Sequence, residues 1–222
     1  MKDIIEDSFR YEKIFSENSY FGNPKGKEFE FAQGTLPIII SSPHSVHQIR
    51  KNKIKFVEVF TGSLNILLNK DTGVHSLFKL KCSDLDDNFD YNTRYKIFLK
   101  EIIEKHNIRL VIDLHGMNDN HGLDIDIGTK ENLTCSNEYI STLKECFKFN
   151  GVEMIGDNQI FKALPEGTVT SYIHSITKVD VMQIEIANKN RNIYRKENQE
   201  NYLKAYRSLI SFIFRVTKKL EH

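Results

Sequence analysis

Net charge is what this 222-residue sequence most conspicuously lacks: 31 Lys and Arg stand against 30 Asp and Glu, a formal charge of +1 with histidine neutral. Without a basic field there is little to hold a phosphate backbone, which argues against nucleic acid as a partner, and without an acidic tail cations are not gathered non-specifically. Long hydrophobic runs are also missing. None approaches the ~20 residues of a membrane span, and Met1-Lys2-Asp3-Ile4-Ile5-Glu6-Asp7 is too polar for a signal peptide. A soluble protein with no membrane partner is expected. Cysteine is scarce, and Cys82, Cys135 and Cys146 form an odd set without metal-finger or redox spacing, as expected of reduced thiols in the cytoplasm. No repeat, Pro-rich linker or low-complexity tract divides the chain. No Gly-rich loop follows the first expected strand, which disfavours a nucleotide-binding doubly wound domain; Gly62 falls within an expected helix and is no substitute.

What remains is a chain long enough to bury one substantial core. Residues 1–35, rich in aromatics and charge, are expected to form an N-terminal hairpin or flap, with extended stretches near 14–20 and 27–31 around the turn Gly22-Asn23-Pro24-Lys25-Gly26. From Leu36, apolar runs of strand length alternate with helix-period segments, the pattern of a single α/β domain over 36–219 with a twisted, mixed but largely parallel sheet. Strands are expected near 36–41, 74–80, 109–114, 123–128, 152–155 and 180–186. Helices are expected at about 56–69, 92–106, 136–149 and 197–217, the last with Tyr202, Leu203, Tyr206, Leu209, Ile210, Ile213 and Phe214 on one face. Leu220-Glu221-His222 resembles a cloning-site and tag remnant.

Four polar residues sit at or near the ends of these elements. Pro43 cannot donate to a ladder and ends the first strand, so His44 follows just beyond its carboxyl end, where open α/β sheets bind ligands. Glu58 is expected in the first turn of the 56–69 helix, where the helix dipole favours a carboxylate. His47, three residues after His44, competes with Glu58 as a ligand or is simply solvated in the polar loop 48–53. Arg109-Leu110-Val111-Ile112-Asp113-Leu114-His115-Gly116 delivers His115 to a strand end, and strand alternation puts Asp113 on its face, where a carboxylate can accept the other imidazole N–H. In Val181-Met182-Gln183-Ile184-Glu185-Ile186-Ala187, the carboxylate of Glu185 interrupts an apolar strand and needs a partner. An ion pair with Arg191 or Arg195 would provide one; a role as general base in a cleft is the other reading. Two histidines and a carboxylate, with a fourth position for water, make a recurrent catalytic zinc set.

Together these segments resemble the N-formylglutamate amidohydrolase family, within the zinc carboxypeptidase and aspartoacylase-like group. The resemblance is carried by Ser41-Ser42-Pro43-His44-Ser45, Lys55-Phe56-Val57-Glu58-Val59-Phe60-Thr61-Gly62, Asp113-Leu114-His115-Gly116 and Gln183-Ile184-Glu185-Ile186-Ala187-Asn188, in that order, and spans about 36–192. It implies a phosphorylase/hydrolase-like zinc-peptidase architecture, one zinc ion on His44, Glu58 and His115, and Glu185 as the base that activates water. The carboxypeptidase-like pattern often places its acidic ligand three residues after the first histidine. Here His47 occupies that position, and Glu-x-x-Thr reappears as Glu58 to Thr61 after an apparent loop insertion. The family's substrate-carboxylate region corresponds to Asp87-Asn88-Phe89-Asp90-Tyr91-Asn92-Thr93-Arg94, so Asn88 and Arg94 would bind substrate and Arg94 would steady the oxyanion. Because that region departs from the family pattern, N-formylglutamate itself does not carry over as the substrate. The activity implied is hydrolysis of the amide bond of a small N-acyl amino acid. A metallo-carboxypeptidase acting on short peptides or cell-wall fragments, or a non-catalytic binding protein on the same fold, are the alternatives.

Overall fold

A seven-stranded sheet organises the computed structural model, which describes residues 3–220. In chain order the elements are α1 (Ile4–Phe15), β1 (Phe29–Ala32), β2 (Ile38–Ser42), β3 (Gln48–Arg50), β4 (Lys53–Lys55), α2 (Thr61–Thr72), β5 (His75–Lys79), α3 (Arg94–His106), β6 (Leu110–Met117), β7 (Ile125–Gly128), α4 (Asn137–Phe149), β8 (Ile155–Asp157), α5 (Val169–Thr177), β9 (Asp180–Ala187), α6 (Asn188–Arg191) and α7 (Gln199–Leu220). The sheet order is β1-β5-β2-β6-β9-β7-β8. Pairings β2–β5, β2–β6, β6–β9 and β7–β8 are parallel, whereas β1–β5 and β7–β9 are antiparallel. The mixed, largely parallel α/β sheet expected from the alternating pattern is therefore what forms.

Strand parity divides the core. Even-numbered side chains such as Ile38, Ile40, Ile112, Met182 and Ile184 pack with α2, α4 and α7, and Ile4, Ile5 and Phe9 of α1 lie against that layer. Odd-numbered Ile39, Val111 and Val181 pack with Tyr95, Leu99, Ile102 and Ile103 of α3 and with Val169, Tyr172 and Ile173 of α5. Each fully buried aliphatic side chain contributes about 1.5–3 kcal/mol, so a one-residue slip in β6 would exchange these sets and expose both layers to mismatch.

Four expectations need correction. Residues 4–15, within the expected N-terminal hairpin or flap, form a helix: Asp3 caps it by accepting from the amides of Ile5 and Glu6, and Ile4, Ser8, Glu12 and Phe15 recur at three- and four-residue spacing on its packed face. The second half of the expected hairpin becomes β1, an edge strand of the main sheet. The loop expected at 48–53 is instead the two-stranded hairpin β3–β4, and α2 begins at Thr61, so Glu58 precedes its helix instead of sitting in the first turn. In α7 the buried stripe runs through Tyr202, Ala205, Tyr206, Leu209, Phe212, Ile213 and Val216, which leaves Phe214 largely exposed. The supposed tag remnant lies outside the described residues at 221 and 222, while Leu220 closes α7. Among the described residues no helix is long and apolar enough to cross a membrane.

Candidate metal centre

β6 carries Asp113 and His115 on its odd, α3-facing side, and β9 runs beside it with Gln183 opposite Asp113 and Glu185 opposite His115. β2 lies on the other flank of β6 and breaks at Ser42-Pro43, which brings His44 around the strand end. The chain then leaves through the β3–β4 hairpin and returns so that the Glu58 amide donates to the His44 carbonyl at 3.0 Å. That bond closes the neck of the excursion and presents Glu58 beside His44.

Three acceptors converge there. His44 Nδ1 is 2.8 Å from Glu58 Oε1, His115 Nδ1 is 3.1 Å from Glu58 Oε2, and the two Nδ1 atoms are 3.1 Å apart. All three side chains are buried, and their ligand atoms lie within 4.8 Å of one another. The remaining imidazole nitrogens are spoken for: His44 Nε2 lies 2.8 Å from Asp86 Oδ1, and His115 Nε2 lies 2.9 Å from Asp113 Oδ2. A carboxylate partner draws the proton of a neutral imidazole to Nε2 and leaves the Nδ1 lone pair facing the partner ring. Two such lone pairs and a carboxylate at mutual distances near 3 Å suit one small cation, and this donor set fits zinc. The field favours positive charge at this point: burial alone would lower the His115 pKa, yet Asp113 and Glu58 raise it well above the ordinary range, so a bound cation would take the place of the ring's second proton. Burial likewise opposes ionisation of Glu58, but Lys55, His44 and His115 outweigh it and keep the carboxylate charged.

The supporting shell reaches into the core. Asp113 Oδ1 accepts from Ser41 Oγ at 2.9 Å, and Ser41 Oγ lies 3.0 Å from the Tyr95 hydroxyl of α3. The Gly116 amide donates to Glu58 Oε2 at 2.8 Å. A side chain at position 116 would run into the guanidinium of Arg191, which explains glycine there. Glu185 is buried next to His115, and its Oε1 accepts from Gln183 Nε2 at 2.9 Å. Burial first, then the charge of Glu58, raises its pKa to about 7 against the pull of His115 and His44. Neither Arg191 nor Arg195 makes an ion pair with Glu185 among the described residues; Arg191 donates to the carbonyls of Val59 and Ile186 instead.

These groups open onto a cavity of about 440 Å³, lined by His44, Glu58, His115, Glu185 and Asn88 together with Arg50, Phe89 and residues 160–165. Asn88 thus reaches the site, although its Oδ1 accepts from the Val169 amide at the start of α5. Arg94 does not: its side chain is 81% exposed and pairs with Glu28 at 3.2 Å. His47 is also elsewhere, accepting from the Val57 amide and packed edge-on against Phe21 and Phe56. Motif reading missed Asp86, Arg50 and Lys55, whose ammonium donates to Glu58 Oε1 at 2.7 Å. Asp86 left one signal, the acidic run Asp84-Leu85-Asp86-Asp87 after a strand adjacent to β2.

No protein-family profile matches the chain, and no curated protein matches it. Solved structures do share its fold. An N-formylglutamate amidohydrolase from Ralstonia eutropha JMP134 aligns over 87% of this chain and 98% of its own, at 15% identity and a TM-score of 0.65. A bacteriophage poly-gamma-glutamate hydrolase aligns over 87% and 92%, at 12% identity and 0.54. A metallo-carboxypeptidase from Pseudomonas aeruginosa aligns over 96% and 67%, at 9% identity and 0.53. The fold is shared with these amidohydrolase and metallo-carboxypeptidase structures.

Proposed function

We propose that the protein is a zinc-dependent amidohydrolase that cleaves the amide bond of a small N-acyl amino acid. The observation that carries this reading is the convergence of His44 Nδ1, His115 Nδ1 and Glu58 on one point, beside a buried carboxyl group in a cavity. The fold shared with amidohydrolase and carboxypeptidase structures supports it.

A zinc ion held by His44, Glu58 and His115 would polarise the acyl carbonyl and lower the pKa of water to about 7. Asp86 and Asp113 hold the two imidazoles with Nδ1 turned inward. Glu185, poised near neutrality, accepts a proton from the attacking water and returns it to the departing nitrogen, a transfer worth about 10²–10⁴-fold in rate. Gln183 donates to Glu185 Oε1 and so leaves Oε2 as the oxygen available for the proton. Lys55 lines the cavity and donates to Glu58 Oε1 at 2.7 Å, whereas Arg94 is turned to solvent and to Glu28. Three unpaired cysteines suit the cytoplasm as the compartment.

The test is release of amine from N-formyl, N-acetyl and N-succinyl amino acids, with and without added zinc. Hydrolysis should require zinc, and Glu185→Gln should lower kcat by about 10²–10⁴-fold with little change in KM. Equal rates for wild type and the variant on the best substrate would remove Glu185 from the reaction.

A further inference from the structure

The β3–β4 hairpin delivers a cation that none of the strand-end motifs announces. Arg50, the last residue of β3, donates from Nε to Asp86 Oδ2 at 2.6 Å and holds its guanidinium carbon 5.2 Å from the centre of the Phe89 ring. One hydrogen bond and one ring face fix the plane of the group. Its two terminal nitrogens have no hydrogen-bond partner among the described residues, and the residue lines the cavity. The other cations of the lining are engaged, Lys55 with Glu58 and Lys162 with Glu131. Among the described residues the acids lining the cavity are Glu58 and Glu185, both already assigned to the centre.

A second part of the lining is apolar and held in place. Ile160 and Leu164 are 42% and 46% exposed, although they lie on a segment that is tightly anchored. The buried Asp126 accepts from the amides of Gln159, Ile160 and Phe161 at 3.2, 2.8 and 2.7 Å. The Ala163 carbonyl accepts from Ser171 Oγ at 2.6 Å, and Ala163 itself is held at φ 56°. An apolar surface kept in position without covering costs little further ordering when a ligand arrives.

Resting on the amidohydrolase reading, we infer that Arg50 is the specificity-determining anchor for the substrate carboxylate. Residues 160–165 receive an apolar side chain, so N-acyl derivatives of apolar amino acids are preferred over acidic ones. A guanidinium with both terminal nitrogens free pairs a carboxylate through two charge-assisted hydrogen bonds. Asp86 makes this anchor part of the centre, because its other oxygen faces His44 Nε2.

The experiment uses the zinc-loaded full chain with N-acetylphenylalanine, N-acetylglutamate and N-acetylphenylalaninamide. In wild type, the phenylalanine compound should exceed the glutamate compound in kcat/KM by about tenfold or more. Replacing its carboxylate by carboxamide should cost about 10- to 100-fold, mostly in KM. In Arg50→Gln that replacement should cost nothing further, a non-additivity that a merely structural role would not produce. Calorimetric binding of the same ligands to zinc-loaded Glu185→Gln separates recognition from turnover. Binding that follows carboxylate and apolar side chain, without hydrolysis by wild type, removes the hydrolase reading and keeps the anchor. Carboxylate and carboxamide handled equally by wild type, or glutamate preferred, overturns the anchor and keeps the hydrolase. Neither binding nor turnover of any compound overturns both.

Discussion

Asp113 spends both oxygens, one on Ser41 and one on His115, and so ties that imidazole to the floor of the sheet. An asparagine there offers only one acceptor, so either the serine or the ring loses its partner. Asp113→Asn should therefore weaken zinc binding about 10- to 100-fold, measured by calorimetry; unchanged affinity would show that the ring needs no such support. This residue, like His44, His115 and Glu185, was legible because a polar group at the end of an apolar strand is conspicuous and strand alternation says which neighbours share its face. Asp86 and Arg50 were not, because what makes them matter is a meeting between the turn after β5 and the β3–β4 hairpin, which no local pattern encodes. Arg94 was misleading for the same reason. It follows the motif order along the chain, yet the helix it opens turns its side chain to solvent and to Glu28.

At the scale of elements, α1 does more than cover α2. Glu12 Oε1 accepts from the Phe60 amide at 2.9 Å and from the Tyr20 hydroxyl at 3.1 Å, and burial pushes its pKa up. Phe60 adopts φ 65° immediately before α2, a left-handed conformation that costs a non-glycine residue about 1–3 kcal/mol. The Glu12 contact helps hold that kink, two residues from Glu58. Glu12→Ala would leave the Phe60 amide buried and unpaired, a loss of about 1–3 kcal/mol. Urea denaturation should register that loss and calorimetry a weaker zinc affinity; an unmoved midpoint would show that the kink needs no help from α1. The sequence concealed this arrangement twice. Aromatic and charged residues through 1–35 masked the helical period of 4–15, and the helix expected from position 56 starts only after the chain has made its left-handed turn.

Across the whole molecule, the two edges of the parallel strands have separate chemistries. The carboxyl edge of β2, β6 and β9 holds the candidate centre, whereas the start of β5 holds His75, stacked on Phe31 and beside His106. Burial, and then the charge of His106, lowers the pKa of His75 to about 4. An unfolded chain takes up that proton near 6.5, so between about 6.5 and 4 the unfolded state binds more protons and stability falls as pH falls. Urea midpoints measured between pH 7 and pH 4 should drop more steeply for wild type than for His75→Gln; parallel slopes would exclude this histidine as a source of acid sensitivity. The mixed sheet and its main helices were legible because their apolar runs are long and their periods distinct. The stretch expected near 27–31 forms edge strand β1, whereas the β3–β4 hairpin and the nine residues of α5 were too short to stand out. One backbone hydrogen bond, from the Glu58 amide to the His44 carbonyl, seals the base of the excursion between them. The tip of the hairpin beyond that seal is open to exchange by evolution or by design, which would rewrite what the cavity admits while His44 and Glu58 at its root keep their places, provided that Arg50 still reaches Asp86.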